Sequence, residues 1–308
     1  MKSSALTQGH RAAAFALACA AGLLGGCGGG DDGPSRASGG GAAPGASAST
    51  APTTAVAPAT YAQGSEELAA FNFLNGERGR CGFGLLAQNT RLDAAAKAHA
   101  DYQLINNLFS HFEDPAAFPT GFTGASMVQR YAFQGYTGLG GAVDEISGLN
   151  GTASKAGFGV QGIRTLLNAP YHLKGLVSGM REAGLAVRSS SDTGTSSPRV
   201  ILQWNGAYAG AAGPQGIAAA DVLTYPCDGT TGATRALTNE SPEPVPGRDL
   251  RANPLGTTVY IATRAGNTLA ITGVTMTNTR TGAPVSLRSV VTAASDPQRE
   301  YAGNEAYA

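Results

Sequence analysis

The N-terminal segment constrains this chain most, because it sets the compartment in which the rest must fold. Lys2 and Arg11 give a positively charged start, and residues 12–26 form a short apolar stretch. This layout is typical of a secretory signal peptide, and the stretch is shorter than the roughly 20 apolar residues that a membrane-spanning helix needs. The sequence therefore predicts an exported protein whose folded part lies after residue 27.

The end of the apolar stretch carries a second signal. Residues 24–27 read Leu-Gly-Gly-Cys, which resembles a bacterial lipobox, whose cysteine is lipidated and becomes the new N-terminus. A lipidated Cys27 would anchor the protein to a membrane. By resemblance to sorted lipoproteins, Gly28 in place of Asp after it implies the outer membrane or cell surface of a Gram-negative bacterium. The alternative is an ordinary signal peptide cut nearby, which leaves Cys27 as a plain thiol.

Two cysteines remain for the folded part. Cys19 leaves with the signal and Cys27 carries lipid, so Cys81 and Cys227 are left in an oxidising compartment. Such a pair predicts one disulfide, and two buried free thiols are the alternative. Neither cysteine lies at a metal-ligand spacing from another Cys or His, which argues against a structural zinc site built on them.

Composition and missing motifs exclude several classes of function. The formal net charge is +0 and no basic run is interleaved with aromatic residues, so nucleic acid is not an expected partner. The sequence has no Gly-x-Ser-x-Gly elbow and no His-Glu-x-x-His helix motif. No catalytic residue is assigned on these grounds.

Composition also divides the chain after the signal into four segments. Residues 28–64 are rich in Gly, Ala, Ser and Pro and predict a disordered tether. Helical patterns followed by strand patterns over residues 65–228 predict an α+β domain. Residues 229–248, with their alternating prolines, predict a linker, and residues 249–308 predict a short β-rich module like an incomplete sandwich.

Periodicity and capping residues place elements in the α+β domain. Ser65 is the expected N-cap of a first helix, and a stripe that includes Leu92 and His99 predicts a second. A third helix is expected near residues 159–167, and strands over residues 184–187 and 199–204. The glycine-rich run at residues 138–141 lacks the context of a dinucleotide-binding loop and is expected to be a flexible loop.

A series of short motifs between residues 71 and 187 follows one order along the chain. They are Asn75 and Arg78; Leu92, Ala96 and His99; Phe109, Ser110 and His111; Arg130, Gly135 and Tyr136; Glu145 and Ile146; His172; and residues 182–187. In this order they resemble the CAP superfamily (cysteine-rich secretory, antigen 5 and pathogenesis-related proteins, the SCP domain), in its bacterial branch. The resemblance implies a three-layer αβα sandwich with a central cleft.

The resemblance also implies a site, because two His and one or two Glu converge in the cleft of many family members and hold a divalent ion. Position by position, His111, Glu145 and His172 are the residues that match. Two neutral imidazoles and one carboxylate suit zinc and leave a fourth position open. The second cleft Glu has no counterpart, and Asp144 stands where the family usually has Gly.

Alternative roles for these residues stay open. His111 and His172 either contact a metal or ligand or form structural hydrogen bonds that shape the cleft, and Glu145 either acts in the site or pairs with Arg130. His99 lies on an apolar helix stripe and is expected to be a core residue with satisfied hydrogen bonds.

Three functions follow from this interpretation. The first is a lipid-anchored CAP-domain protein that binds a lipid or another cell-envelope component in the cleft, with zinc as the expected metal and no other cofactor. The second is a hydrolase of peptide or envelope substrates, assisted by the metal or by a His/Glu pair. The third is an adhesion or scaffold protein that presents its β-rich end to a partner.

Overall fold

The computed structural model describes residues 50–308. The predicted signal peptide, the lipidation site Cys27 and the first part of the predicted tether lie outside the described residues. No helix within residues 50–308 is both long and apolar enough to cross a membrane.

Six helices and a four-stranded sheet occupy the first part of the described chain. The helices are α1 (Glu66–Arg80), α2 (Thr90–Ile105), α3 (Met127–Phe133), α4 (Phe158–Leu166), α5 (Pro170–Val177) and α6 (Ser190–Thr193). The strands are β1 (Ala87–Gln88), β2 (Leu139–Asn150), β3 (Glu182–Ser189) and β4 (Arg199–Ala209), in the spatial order β1-β3-β4-β2. Strand β4 pairs antiparallel with β2 and β3, and β1 pairs parallel with β3. Strand β2 is therefore an edge strand.

Local sequence signals explain where the helices begin. Ser65 caps α1 by accepting a hydrogen bond from the Leu68 amide at 3.1 Å, and two acidic residues occupy the first turn. Asn89 caps α2 in the same way through the Arg91 amide. Helix α5 begins with Pro170 at its first position, where the missing amide costs nothing. The predicted helices at Ser65 and at Leu92 are confirmed.

Helices cover both faces of the first sheet. Alternate residues of β4 point to opposite sides: Leu202 and Trp204 join the core with α1, α4 and α5, while Ile201 packs with Ala100 and Leu104 of α2. A sheet buried on both faces explains why every residue from Arg199 to Ala207 is buried. The predicted α+β class, with an αβα sandwich, is confirmed.

Strand β2 corrects the prediction of a flexible glycine loop at residues 138–141. The strand begins at Leu139 and runs to Asn150. A Cβ atom at Gly140 or Gly141 would overlap the Tyr208 ring of β4, so these glycines permit the close approach of the two strands. The sequence predicts no strand over residues 139–150, because glycine is depleted in strands and this segment contains Gly140, Gly141 and Gly148.

The N-terminal part of the described chain also differs from the prediction. We expect a disordered tether up to residue 64, but residues 50–64 contact the domain. Thr50 forms a bridge with Gln215, and the Thr53 amide donates to Gln215 Oε1 at 2.6 Å. The Tyr61 hydroxyl donates to the carboxylate of Asp93. Packing against the domain therefore starts before Ser65.

The C-terminal residues form a second sheet that includes a strand from the predicted first domain. Its strands are β5 (Val222–Tyr225), β6 (Tyr260–Thr263), β9 (Val291–Thr292) and β10 (Glu305–Tyr307), in the order β5-β6-β10-β9, while β7 (Met276–Thr277) and β8 (Pro284–Val285) form a separate two-stranded ribbon. Within residues 50–308, the predicted β-rich module supplies three strands of this sheet and the two strands of the ribbon, so the expected separate sandwich does not form. The boundary predicted near residue 228 is also wrong, because β5 pairs directly with β6.

A cluster of tyrosines joins the C-terminal sheet to α5. Tyr301 packs against Tyr171, Tyr260 and Tyr307 with ring centroids 4.9–6.0 Å apart. These rings belong to the same core as Leu173 and Leu176 of α5. The C-terminal residues are thus part of the main core.

The predicted disulfide is confirmed. Cys81, at the C-cap of α1, is bonded to Cys227, with a Cα–Cα distance of 5.5 Å. The bridge connects α1 to the chain just after β5. In the chain-entropy model, closing a loop of this length contributes roughly 4–5 kcal/mol to stability.

Candidate functional site

The three predicted site residues lie together at the edge of the first sheet. His111 is in the loop between α2 and α3, Glu145 is on β2, and His172 is in the first turn of α5. One potential ligand atom from each residue lies within 4.8 Å of the other two. His172 Nε2 is 3.8 Å from Glu145 Oε2, and the ring centroids of the two histidines are 6.4 Å apart.

The fold brings these residues together through the edge strand and the helix that packs on it. Glu145 extends from β2 toward α5, and a Cβ atom at Gly175 would overlap Glu145 Oε1. Gly175 therefore makes room for the Glu145 carboxylate beneath α5. His172 lies one turn before Gly175, and so its ring faces the same carboxylate.

The carboxylate of Glu145 is buried without hydrogen bonds. The residue is 1% exposed, and neither oxygen has a hydrogen-bond partner among the described residues. Burial raises the pKa of Glu145 well above its ordinary value, because an ionised carboxylate in an apolar place loses its hydration. Buried polar atoms are almost always paired, so the two oxygens of Glu145 need a hydrogen-bond donor or a cation, and the nearest cationic side chain is His172, at 3.8 Å.

His172 is held by a residue that sequence reasoning missed. Its Nδ1 lies 2.9 Å from Oε1 of Glu240, which is buried and belongs to the predicted linker at residues 229–248. Burial alone would lower the pKa of His172, but the carboxylates of Glu240 and Glu145 outweigh burial and raise it to about 9. No motif surrounds Glu240, and the pairing spans 68 positions, so no local signal in the sequence indicates it.

His111 is held in a parallel way. Its Nδ1 lies 3.1 Å from Oδ1 of Asp144, the neighbour of Glu145 on β2. The other oxygen of Asp144 accepts a hydrogen bond from the Arg130 guanidinium at 2.7 Å. Burial alone would raise the pKa of Asp144, but His111 and Arg130 outweigh it and lower that pKa well below its usual range. Arg130 thus pairs with Asp144, which corrects the alternative that it pairs with Glu145.

His99 lies outside this cluster, as expected. It is fully buried, with Nδ1 2.9 Å from Glu113 Oε1 and Nε2 2.9 Å from the Ser110 carbonyl oxygen. Both ring nitrogens are satisfied, so His99 is a core residue that supports the loop carrying His111.

The residues of the cluster fit a divalent metal ion. Two imidazole nitrogens and one carboxylate are a common donor set for zinc and leave a fourth position open. Two ligands of one tetrahedral zinc ion lie about 3.3 Å apart when each is about 2.0–2.1 Å from the metal. The 3.8 Å between His172 Nε2 and Glu145 Oε2 exceeds that separation by a few tenths of an ångström, and all three candidate ligand atoms lie within 4.8 Å of one another.

Two exposed aromatic side chains flank His111 in the sequence. Phe109 is 51% exposed and Phe112 is 55% exposed, although large apolar side chains are usually buried. A Cβ atom at Gly148 of β2 would overlap the Phe109 ring, so the missing side chain there lets Phe109 lie against the strand. The loop that carries His111 therefore presents apolar surface to solvent.

Comparisons with known proteins give the following results. No family model matches the chain, and no curated protein matches it. Among solved structures, an outer surface protein from Borrelia burgdorferi is 13% identical and has a TM-score of 0.38, covering 48% of this chain and 96% of that protein. An extracellular protein containing an SCP domain, from Bacillus anthracis str. Ames, is 21% identical with a TM-score of 0.35, covering 46% of this chain and 40% of that protein. Similarities of this size do not identify the family or the function of this chain.

Proposed function

We propose that this protein binds a divalent cation, zinc by its donor set, through His111, Glu145 and His172. The observation that carries the proposal is the buried carboxylate of Glu145, which has no hydrogen-bond partner within residues 50–308 and lies 3.8 Å from His172 Nε2. A cation at this position would compensate the cost of burying an ionised carboxylate. The sequence resemblance to the CAP superfamily independently indicates the same three residues.

We further propose that the site takes a ligand with an apolar part, a lipid or another component of the cell envelope. A zinc ion held by three protein ligands supplies a Lewis-acidic position for an anionic or carbonyl oxygen. Phe109 and Phe112, exposed on either side of His111 in the chain, provide apolar surface for the rest of such a ligand. The predicted lipid anchor at Cys27 would keep the site at the envelope, where these ligands occur.

The proposal is tested by calorimetric titration of the purified protein with zinc, in the wild type and in a His111→Ala/His172→Ala variant. We expect zinc to bind the wild type at one site and not to bind the double variant, with circular dichroism verifying that the variant stays folded. An unchanged zinc isotherm in a folded double variant would refute the metal site.

The same preparation tests the ligand. The zinc-loaded protein is titrated with a fluorescent fatty acid, and Phe109→Ser/Phe112→Ser is compared with Phe133→Ser, which alters an exposed aromatic residue on α3. We expect weaker binding only in the first variant. Equal affinity of both variants for the fatty acid would refute the proposal that Phe109 and Phe112 form the apolar part of the ligand site.

A metal-assisted hydrolase is the second candidate, because an open fourth position beside three ligands also suits an activated water molecule. In that case His172→Ala abolishes turnover of peptide or envelope substrates without unfolding the protein. The adhesion role has less support, because the C-terminal residues pack into the core and do not stand apart.

A further inference from the structure

Both histidines of the site direct one ring nitrogen toward a buried carboxylate outside the site. His111 Nδ1 is 3.1 Å from Asp144 Oδ1, and His172 Nδ1 is 2.9 Å from Glu240 Oε1. Both carboxylates are buried. The two carboxylates come from different parts of the chain, yet they occupy the same position relative to their histidines.

The two carboxylates differ in how they are held. Asp144 Oδ2 accepts hydrogen bonds from Arg130 at 2.7 Å and from Gln203 Nε2 at 3.3 Å, so α3 and β4 fix its orientation. Glu240 is buried; its Oε1 pairs with His172 Nδ1, and its Oε2 has no hydrogen-bond partner among the described residues. Asp144 therefore cannot follow His111 to another position without breaking its other hydrogen bonds, whereas Glu240 is held by burial and by His172 itself.

A carboxylate on Nδ1 determines what the other ring nitrogen can do. An ionised carboxylate only accepts hydrogen bonds, so Nδ1 must carry the proton and donate it. Nε2 is then the nitrogen that a metal would bind, displacing the second proton of an imidazolium, and metal-binding histidines usually have this arrangement. In His172 it is Nε2 that faces Glu145, at 3.8 Å.

We propose that Asp144 and Glu240 are positioning residues that hold His111 and His172 with Nε2 directed at the metal position. The proposal rests on the proposed metal function and goes beyond it, because it makes the C-terminal segment that contains Glu240 a part of the site. A chain without that segment would keep all three proposed ligands but not the group that orients one of them.

The test uses the variants Glu240→Gln, Glu240→Ala and Asp144→Asn, with Glu243→Gln as the matched control. Glu243 is an exposed acid three positions after Glu240 in the same segment. We expect zinc affinity to fall about 10–100-fold in Glu240→Ala and Asp144→Asn, and less in Glu240→Gln, whose amide oxygen can still accept from Nδ1. Glu243→Gln should bind zinc as the wild type does.

A second readout does not depend on metal. Nitrogen-15 NMR of the metal-free protein should show a protected Nδ1 proton on both histidines, and Glu240→Ala should remove the His172 signal while leaving that of His111. If Asp144→Asn does not fold, because it leaves Arg130 without its partner, the Glu240 variants decide the question.

The outcomes separate this inference from the metal proposal. Protected Nδ1 protons in a wild type that binds no zinc would refute the metal function and leave the orienting role supported. Zinc binding at wild-type affinity in a folded Glu240→Ala variant, or no protected Nδ1 proton on His172 in the wild type, would overturn the inference.

Discussion

Single residues outside the site determine whether the His111 loop keeps its position. Glu113 accepts hydrogen bonds from the Thr123 amide at 2.6 Å, from the Gly124 amide at 3.2 Å and from His99 Nδ1 at 2.9 Å. The other nitrogen of His99 contacts the carbonyl oxygen of Ser110, immediately before His111. The pair of His99 and Glu113 thus ties both arms of this loop to α2.

We expect Glu113→Ala to destabilise the protein by about 2–4 kcal/mol at pH 7, because it leaves His99 and the amides of Thr123 and Gly124 without this acceptor. Burial alone would raise the pKa of Glu113, but hydrogen bonds from His99 and Thr123 outweigh burial and lower it below its ordinary value of 4.5. A lowered pKa means that the contribution is present above pH 4.5 and is lost as the pH falls further. Urea unfolding of the variant and the wild type, at pH 7 and at steps below pH 4.5, measures the free energy of unfolding of each. The difference between the two free energies should shrink as the pH falls.

The matched control is Glu243→Ala, which removes an exposed carboxylate and should change stability by less than about 0.5 kcal/mol. If the free energies of unfolding of the wild type and Glu113→Ala instead differed by the same amount down to acid pH, that result would contradict the assignment of Glu113 as an ionised buried acceptor.

At the scale of elements, close contact between α2 and β3 depends on one glycine. A Cβ atom at Gly184 of β3 would overlap the backbone of Leu92 and Asp93 in the first turn of α2. The Asp93 carboxylate also accepts the Leu185 amide at 3.0 Å, so the helix and the strand are joined at this point. Any side chain at residue 184 must push α2 away from the sheet.

Gly184→Ala is therefore expected to destabilise the protein by about 1–3 kcal/mol or more through overpacking. Gly76→Ala is the control, since Gly76 is exposed in α1 and its Cβ would meet nothing within 4 Å. It should stabilise the protein by about 0.5–1 kcal/mol, because alanine is the better helix former. Urea denaturation measures both changes, and equal effects of the two substitutions would contradict this account of the α2–β3 contact.

At the scale of the whole molecule, the two sheets share one core. Tyr260, Tyr301 and Tyr307 pack with α5, and β5, from the predicted first domain, pairs with β6. The residues after 228 therefore complete the core, and they also supply Glu240 to the site.

A chain that ends at residue 228 keeps the disulfide but loses the tyrosine cluster and the partner strand of β5. We expect it to aggregate or to unfold without a cooperative transition, as measured by thermal circular dichroism. The control replaces residues 278–283, the exposed loop of the β7–β8 ribbon, with Asn-Gly, which suits a tight hairpin and should leave the transition unchanged. Cooperative unfolding of the truncated chain near the wild-type temperature would show that the two sheets are independent.

The elements that could be predicted from sequence are those with strong local signals. Capped helices such as α1, buried apolar strands such as β4, and the cysteine pair all follow from short-range patterns or simple chemistry. Strand β2 could not be predicted from sequence, because glycines interrupt its pattern and its fit depends on Tyr208 of β4. The roles of Asp144 and Glu240 could not be predicted, since each depends on a contact between distant parts of the chain.

The measurement that tests the central claim most directly is anomalous diffraction at the zinc edge from crystals of the protein soaked in zinc. The account predicts one strong anomalous peak within bonding distance, about 2.0–2.2 Å, of Nε2 of His111, Nε2 of His172 and a carboxylate oxygen of Glu145. The account would be contradicted if the crystals showed no anomalous peak at these three residues, whether zinc bound elsewhere or not at all.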